Sequence, residues 1–340
     1  MTAVHEGQRR SSAAPLRQRL VTLVGEVGYG REEPIVIGVR QPGAAPLFLA
    51  QGLTSAGKPL SGTTLIYAAS LAKQVTAACA ALLVQRGVLD VDAALSRWLP
   101  ELPAWAETVR LRHLVHHTAA LPDAEIDAAL AAAGETDRTT RGVLDALSRL
   151  PALDRRPGAG YVYSGAGYVC LAAVVQRAAG QLLPAFASAH LFGPLEMADT
   201  RYWPGPGPAP PGAAPLASAH PAPLSLGDGG MWSTAEDLLR WSQALNTDQL
   251  GIGGLLQTPG RLDDGTLLDY AWGMGVRSHA GHRVYRHGGG WPGVRALLAR
   301  VPDLRLSLVT VALADDSERR VPLVASLLDL LVGARFSVDR

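Results

Sequence analysis

Residues 66–83 read IYAASLAKQVTAACAALL, an apolar stretch interrupted by a single cationic side chain. Apolar residues recur at helical spacing from Ser70 onward, which predicts a helix from Ser70 to about Arg86. Ser70 would lie at the N-terminus of this helix, where free backbone N–H groups and the helix dipole favour negative charge. Lys73 follows three residues later, so the two side chains would share one helical face.

The chain contains only two lysines, Lys58 and Lys73, among 31 cationic residues. A serine hydroxyl becomes a nucleophile when a neighbouring group takes its proton, and arginine cannot do so because its guanidinium stays charged. A lysine can act in this way once burial and neighbouring groups lower its pKa. Ser70 and Lys73 are therefore candidates for nucleophile and base, although an N-cap serine followed by a solvent-reaching lysine has the same spacing.

The same Ser-x-x-Lys spacing occurs at Ser55 and Lys58, so spacing alone is weak evidence. That second pair lies in a glycine-rich turn, and Pro59 disfavours helical backbone at the residue before it. Its two side chains therefore need not share a face, and we predict chemistry only at the first pair.

Two further polar elements follow along the chain. Residues 157–175 read PGAGYVYSGAGYVCLAAVV and place Tyr163 at the start of a predicted helix. Residues 285–298 read YRHGGGWPGVRALL and place a His-Gly-Gly segment, 287–289, at the end of a predicted strand. A Ser-x-x-Lys motif followed by two such elements is the signature of penicillin-interacting enzymes.

With these motifs the chain resembles the serine β-lactamase and penicillin-binding-protein superfamily, in its class C-like branch, which includes D-aminopeptidases, family VIII esterases and transacylases. The similarity extends over most of the chain. Besides the segments above, it rests on LVHHTAALP (114–122), GGMWSTAEDLLRW (229–241) and HGGGWPG (287–293).

The resemblance implies that Ser70 is the acylated nucleophile and that Lys73 and Tyr163 share its proton. The backbone N–H groups of Ser70 and Gly290 would form the oxyanion hole. The expected substrate-binding residues are His287, Gly288, Gly289, Gly290, Gly165, Trp291 and Trp232. No cofactor and no metal are implied.

Gly165 departs from the family pattern, because the Tyr-Ser-Asn motif of relatives is Tyr-Ser-Gly here. In relatives the asparagine carboxamide bonds the amide side chain of the substrate and touches the active-site lysine. Its loss removes a polar group that would hold penicillins and peptides, which favours an ester or thioester substrate. His287 stands where lactamases and many peptidases have lysine, as in esterase-like relatives.

Other candidate residues can also be explained by an ordinary structural role. The HLVHH segment, 113–117, places histidines at i and i+4, which can share a metal, but no carboxylate or cysteine obviously converges there. Trp98 and Trp105 fit a plain core, whereas Trp232 and Trp291 are candidates for an acyl pocket. Arg295 is either a surface charge on a strand or a group that binds a substrate carboxylate.

Composition narrows the class of protein. The 340-residue chain is 48% hydrophobic and 18% charged with a net charge of +1, which makes no electrostatic case for nucleic acid or an anionic membrane. Cys79 and Cys170 lie in apolar helical patterns and are expected to be buried free thiols. No apolar run reaches a secretory signal or a membrane span, so we expect a cytoplasmic location.

The pattern of predicted elements indicates an α/β (α+β) fold with a single catalytic unit over residues 1–340. The sequence predicts strands over residues 34–41, 46–55, 270–280, 282–289, 295–302 and 304–314, a helix over 165–180 and a closing helix over about 317–334. The strands near both ends would form an antiparallel sheet flanked by helices, a β-lactamase-like three-layer sandwich. Residues 15–74 and 261–340 form this part, and residues 75–260 form a mainly helical insert. The insert includes a loop, 204–225, with eight prolines.

We therefore expect a serine hydrolase or acyltransferase that works on a small-molecule acyl substrate through an acyl-Ser70 intermediate. A cytoplasmic esterase or a tailoring transacylase fits Gly165 best. The alternatives are a β-lactamase, a D-Ala-D-Ala carboxypeptidase or aminopeptidase, and a non-catalytic ligand-binding homologue. The last alternative would be favoured if Ser70 were turned away from Lys73.

Overall fold

The computed structural model describes residues 15–134, 138–315 and 318–333. The strands are β1 (Ile35–Arg40), β2 (Leu47–Gln51), β3 (Ile66–Tyr67), β4 (Arg201–Tyr202), β5 (Met231–Ser233), β6 (Gly275–His279), β7 (His282–Trp291), β8 (Val294–Val301) and β9 (Leu306–Ala312). The longer helices are α1 (15–26), α2 (Ala72–Gln85), α3 (Leu111–Val115), α4 (Asp123–Ala132), α5 (Thr140–Ser148), α6 (Gly165–Ala179), α7 (Leu183–Ala187), α8 (Ala235–Asn246), α9 (Gly253–Leu256) and α10 (Arg320–Gly333).

The main sheet has six antiparallel strands in the order β2-β1-β9-β8-β7-β6. Strand β1 pairs with β9 along its whole length, from Ile35 opposite Ala312 to Arg40 opposite Ser307. The N-terminal and C-terminal parts of the chain therefore meet in one sheet. The predicted fold class is confirmed, because an antiparallel sheet built from both ends is flanked by helices.

Each face of the sheet is covered by helices, which makes three layers. On one face, side chains of α1 and α10 pack with inward residues of β1, β8 and β9 in a cluster that includes Leu20, Leu327, Ile37 and Leu308. On the other face, α2 and α8 belong to a larger cluster that continues into the remaining helices. Strand residues alternate between these two clusters, as expected for a sheet buried on both sides.

Helix α2 lies at the centre of the molecule, with 12 of its 14 residues buried. Helix α6, with the sequence GAGYVCLAAVVQRAA, is buried over most of its length as well. Alanine and glycine on these helices leave little side-chain volume, which permits close packing of neighbouring backbones. Both cysteines, Cys79 on α2 and Cys170 on α6, are buried free thiols, as predicted.

A second sheet has three short strands in the order β3-β5-β4. Its strand β3 directly precedes the turn that contains Ser70. Strand β3 pairs with β5, and the Ala68 N–H continues this pairing by donating to the Met231 carbonyl at 2.9 Å. The sequence analysis missed β4 and β5, because segments of two or three residues carry too little periodicity to be recognised.

The predicted strand 270–280 is shorter in the structure and begins only at Gly275. The reason is the bend before it, where Gly273 has φ of +73° and packs on the backbone of α2. A Cβ atom there would lie 2.7 Å from the carbonyl oxygen of Lys73. The chain thus leaves the sheet to contact the helix that carries the candidate base.

Three predicted segments extend beyond the described residues. Residues 1–14, which were used for the location prediction, and residues 317 and 334, at the predicted ends of the last helix, lie outside them. The boundaries of the predicted insert, 75–260, stay a prediction, since one core cluster joins residues from both parts. Over the described ranges no single helix has the length and apolarity to cross a membrane, and only the bent pair Gly165–Ala179 with Leu183–Phe192 reaches them together.

Candidate active site

Ser70 lies in a single 3-10 turn, Ala69–Leu71, directly before α2. Ala69 has φ of +47°, a left-handed conformation that is uncommon for a residue with a side chain. The Ser70 hydroxyl oxygen accepts a hydrogen bond from Lys73 Nζ at 3.1 Å. A serine turned away from this lysine would have favoured the non-catalytic alternative, and the structure shows the two side chains in contact instead.

Lys73 is 1% exposed, so its charged end is almost removed from water. Its Nζ also donates to the backbone carbonyl of Asp228 at 2.7 Å. The same atom lies 5.0 Å from the ring centroid of Tyr163 and 5.7 Å from that of Tyr168. A carbonyl oxygen, a serine oxygen and two aromatic rings therefore surround the buried amine.

Tyr163 stands at the wall of the site, with 43% of its surface exposed. Its ring packs on the imidazole of His117, at 4.3 Å between centroids. Within the described ranges the Tyr163 hydroxyl forms no hydrogen bond, so it does not contact Ser70 or Lys73 in that way. The structure thus brings the ring of Tyr163 to the lysine while its hydroxyl remains available.

His117 supports this wall and was not included among the predicted site residues. Its Nδ1 accepts a hydrogen bond from the Ser164 backbone N–H at 3.1 Å, and the side chain is 1% exposed. Burial, followed by the charge of Lys73, holds the pKa of His117 well below its usual value. The neutral ring of His117 therefore fixes the backbone of Ser164, the residue next to Tyr163. The HHTAALP motif was the available signal.

The glycines of β7, residues 288–290, run beside the turn Ala69–Leu71 that contains Ser70. A Cβ atom on Gly289 would lie 2.4 Å from the Ala68 carbonyl oxygen, so only glycine permits this approach of two backbones. Gly290 follows and lines the same cavity as Ser70. This proximity is what an oxyanion hole made from the Ser70 and Gly290 N–H groups requires.

His287 lines a neighbouring cavity with Gly288, but both of its ring nitrogens are occupied. Nδ1 donates to the Gly288 carbonyl at 2.7 Å, and Nε2 accepts from the Tyr270 hydroxyl at 3.0 Å. Burial, with the charge of Lys73, lowers the pKa of His287 to about 3. The neutral imidazole thus holds the strand to Tyr270, and its expected substrate-binding role stays a prediction.

The cavity at Ser70 has a volume of about 370 Å³. Gly165 and Trp291 line it, as predicted for substrate-binding residues, and so does Pro223 of the proline-rich loop. Trp291 Nε1 donates to the Pro221 carbonyl at 2.9 Å, which ties this loop to the site. Three aspartates and an arginine, which the sequence analysis did not identify, complete one wall: Asp123, Asp127, Asp228 and Arg138.

Trp232 was expected to bind substrate, and the structure places it elsewhere. It is 2% exposed on β5, and its ring packs on Tyr67 at 5.3 Å between centroids. Inward-facing positions of a short central strand are buried, so this tryptophan belongs to the core. Trp105 is buried as well. Arg295 is bound to the Trp291 and Val294 carbonyls at 2.6 and 2.9 Å.

The histidines of segment 113–117 do not gather around a common point for a metal. His113 Nδ1 accepts from the Arg110 N–H at 3.1 Å, and the His116 ring packs edge-on against Trp272. Burial lowers the pKa of both imidazoles to about 4. Over the parts of the chain that the structure describes, three or more His, Cys, Asp or Glu side chains do not cluster as a metal site.

Comparison with known proteins places this geometry in a family. A family model described as Beta-lactamase matches residues 35–331. The chain is 32% identical over 292 residues to esterase EstB of Burkholderia gladioli, which covers 67% of this chain and 70% of the esterase. It is 28% identical over 319 residues to a penicillin-binding protein of Bacillus subtilis (strain 168), which covers 83% of this chain and 68% of that protein.

A solved structure has the same fold. The D-amino acid amidase from Ochrobactrum anthropi SV3 superposes with a TM-score of 0.76, covering 91% of this chain and 98% of the amidase. The sequence identity is 22%, so this likeness concerns the fold alone.

Proposed function

The chain belongs to the Beta-lactamase family and is a serine hydrolase, and we propose that it transfers the acyl group of an ester or thioester through an acyl-Ser70 intermediate. The observation that carries this proposal is the 3.1 Å hydrogen bond between Lys73 Nζ and Ser70 Oγ at the cavity. A nucleophile beside a group that can take its proton is the minimum for covalent acyl transfer.

In the proposed acylation step, Ser70 Oγ attacks the carbonyl carbon and its proton passes to the pair Lys73 and Tyr163. Lys73 Nζ lies 5.0 Å from the ring centroid of Tyr163, so the two neighbouring groups act as one relay in this proposal. The substrate oxygen becomes negative and is held by the N–H groups of Ser70 and Gly290. The carbon–oxygen or carbon–sulfur bond then breaks, and the leaving group departs with the relayed proton.

Deacylation repeats these steps with a second nucleophile. Water gives hydrolysis, whereas an alcohol or amine gives transfer, and the acyl-enzyme is the same in both cases. Because hydrolysis and transfer share this acyl-enzyme, we propose either an esterase or a tailoring transacylase. The similarity to EstB, named an esterase, supports the ester class.

Gly165 supports esters over amides. Among the described residues that line the cavity, none carries a carboxamide that could bind the amide of a penicillin or peptide. An ester also has a better leaving group, so its cleavage needs less help from the site. Efficient opening of penicillin G by the purified enzyme would contradict this preference.

The test is mass spectrometry of the intact protein after incubation with p-nitrophenyl butyrate and, separately, with a fluorophosphonate. We expect one added group on Ser70 and loss of both labelling and turnover in Ser70→Ala. The matched control is Ser55→Ala, because Ser55 belongs to the second Ser-x-x-Lys match but bonds the Pro215 carbonyl at 3.0 Å. Absence of label, with turnover unchanged in Ser70→Ala, would show the proposal to be wrong.

Hydrolysis and transfer are separated by adding acceptors. Product analysis with water alone and with a panel of amines and alcohols measures which nucleophile discharges the acyl-enzyme. Accelerated release of p-nitrophenol, together with an acylated acceptor, identifies a transacylase.

A further inference from the structure

Gly165 forms part of the cavity wall, and charged side chains lie close to it. A Cβ atom on this residue would lie 3.1 Å from Asp228 Oδ2, 3.2 Å from Asp123 Oδ2 and 3.5 Å from Arg138 Nη2, so the wall is tightly packed here. All these side chains line the cavity that contains Ser70. A substrate acyl chain that enters the cavity along this wall therefore meets carboxylates and a guanidinium.

The carboxylate of Asp123 already accepts three hydrogen bonds at the start of α6. It accepts hydrogen bonds from the Ser164 hydroxyl at 2.7 Å, the Gly165 N–H at 2.5 Å and the Ala166 N–H at 3.2 Å. This arrangement satisfies donors that a helix N-terminus leaves free. Asp123 therefore has a structural task that explains its position.

The other two carboxylates hold Arg138. Asp127 forms an ion pair with Arg138 Nη1, and Asp228 Oδ2 lies 3.4 Å from Arg138 Nε. Asp228 also accepts from the Ser225 hydroxyl at 2.8 Å. The arginine is thus fixed from two sides, with only 16% of its side chain exposed.

The remaining nitrogen of this guanidinium, Arg138 Nη2, has no hydrogen-bond partner among residues 15–134, 138–315 and 318–333. A guanidinium is always charged and carries five N–H donors in a rigid plane. Because Asp127 and Asp228 hold the other two nitrogens, Nη2 is fixed beside Gly165 with its N–H donors directed to none of the described residues.

We propose that Arg138 is a specificity-determining residue whose Nη2 donates a hydrogen bond to a neutral oxygen, such as a ketone or amide carbonyl, on the acyl chain of the substrate. A neutral oxygen is preferred to a carboxylate, because three aspartates surround the arginine and repel an added negative charge. This inference rests on the proposed function, since it requires the acyl chain to be bound at Ser70.

The test uses p-nitrophenyl esters of one shape. The 4-oxopentanoate and the 4-methylpentanoate differ only by an oxygen in place of a methyl group, and the succinate half ester adds a negative charge. A second pair, the 5-oxohexanoate and 5-methylhexanoate, moves the acceptor by one carbon. We expect the wild-type enzyme to favour one oxo ester over its methyl partner by at least about tenfold in kcat/KM, and to disfavour the succinate.

The variant Arg138→Met should bring the ratio of kcat/KM for the oxo ester to that for its methyl partner to about one, and this ratio is the readout rather than the absolute turnover of either ester. If this variant does not fold, Arg138→Lys replaces it, because lysine keeps a positive charge between the two aspartates but lacks Nη2. The same ratio of kcat/KM, oxo ester to methyl ester, is measured for this variant. Arg141→Met is the matched control, because Arg141 lies on the neighbouring helix with its side chain 91% exposed. Its oxo-to-methyl ratio should equal that of the wild type.

The ratio distinguishes recognition from support. An arginine that only positions Asp228 would lower kcat/KM for both members of a pair equally, and that result would overturn the proposal. A wild-type preference for the methyl esters or for the succinate would overturn it too. Failure of the proposed function looks different: neither ester of any pair is turned over, and the fluorophosphonate leaves Ser70 unlabelled.

Discussion

The backbone carbonyl of Asp228 accepts a 2.7 Å hydrogen bond from Lys73 Nζ, although 155 residues separate the two along the chain. This contact, in addition to that with Ser70, holds the amine in a site that is 1% exposed. The loop that carries Asp228 therefore helps to position Lys73 in the candidate site through its backbone.

Replacement of this lysine should remove most of the activity. In Lys73→Met the apolar chain fills a similar volume, but no amine remains to receive the Ser70 proton, so we expect kcat/KM for p-nitrophenyl butyrate to fall by about 10²–10⁴-fold. Lys58→Met, the exposed second lysine of the Ser-x-x-Lys matches, should retain wild-type turnover. More than a tenth of the activity in folded Lys73→Met would exclude the lysine as proton acceptor.

Tyr163→Phe should separate the hydroxyl from the ring. The ring contact with Lys73 is kept, and the hydroxyl forms no hydrogen bond with the residues that the structure describes, so the free energy of unfolding should change by less than about 0.5 kcal/mol. We expect a loss of about 10²-fold or more in kcat/KM, since the relay loses one member. Tyr161→Phe is the control, because Tyr161 and Tyr163 are both 43% exposed. Equal losses in the two variants would argue against a relay.

Gly289→Ala should damage the fold and the site together. The added Cβ would meet the Ala68 carbonyl oxygen at 2.4 Å, and backbone cannot move aside as a flexible side chain can. We expect the free energy of unfolding, measured in urea, to fall by about 1–3 kcal/mol. In Gly290→Ala the nearest atom is Arg295 Cδ at 3.5 Å, an ordinary contact, so stability should be nearly unchanged. Similar stabilities of the two variants would refute the close approach of strand and turn.

His287 should make stability depend on pH in the acidic range. Its pKa is about 3 in the folded protein, because of burial and the charge of Lys73, and about 6.5 in the unfolded chain. Below pH 6.5 the unfolded state binds the extra proton, so stability falls as the pH decreases from 6.5 towards 3 and is constant for this group above 6.5. At pH 5 the loss for one such histidine is about 2 kcal/mol.

Urea unfolding at pH 7 and pH 5 measures this effect. The difference between the two pH values should shrink in His287→Asn, whereas His220→Asn, at an exposed position, should preserve it. His113, His116 and His117 also have lowered pKa values, so part of the wild-type slope should persist in each single variant. An unchanged slope in His287→Asn would mean that this imidazole is protonated in the folded protein.

Much of the fold could be predicted from local pattern. The periodicity of residues 34–41, 282–289, 295–302 and 304–314 located the long strands, and that of 70–86 and 165–180 located the central helices. The strand predicted from Tyr270 was too long, because the bend at Gly273 results from packing on α2. A contact with a distant backbone leaves no periodicity in the segment that makes it.

The candidate site was likewise predicted only in part. Ser70, Lys73, Tyr163 and the glycines of β7 were named from motifs, whose spacing along the chain is visible in one dimension. Their catalytic roles stay a prediction, as does the cytoplasmic location. Trp232 lay next to a motif but belongs to the core, since neighbours in a strand point to opposite faces.

By itself, the sequence determined that a serine and a lysine would share one turn of helix, because a separation of three residues depends on local geometry alone. The rarity of lysine made the pair visible, and the ordered motifs indicated its family. Only the tertiary structure decided which groups surround the pair: Asp228 at the amine, a neutral His117 behind Tyr163, and Arg138 beside Gly165. These contacts join residues between 27 positions (Arg138 and Gly165) and 155 positions (Lys73 and Asp228) apart, and the packing of the whole domain, rather than any local preference, sets their distances.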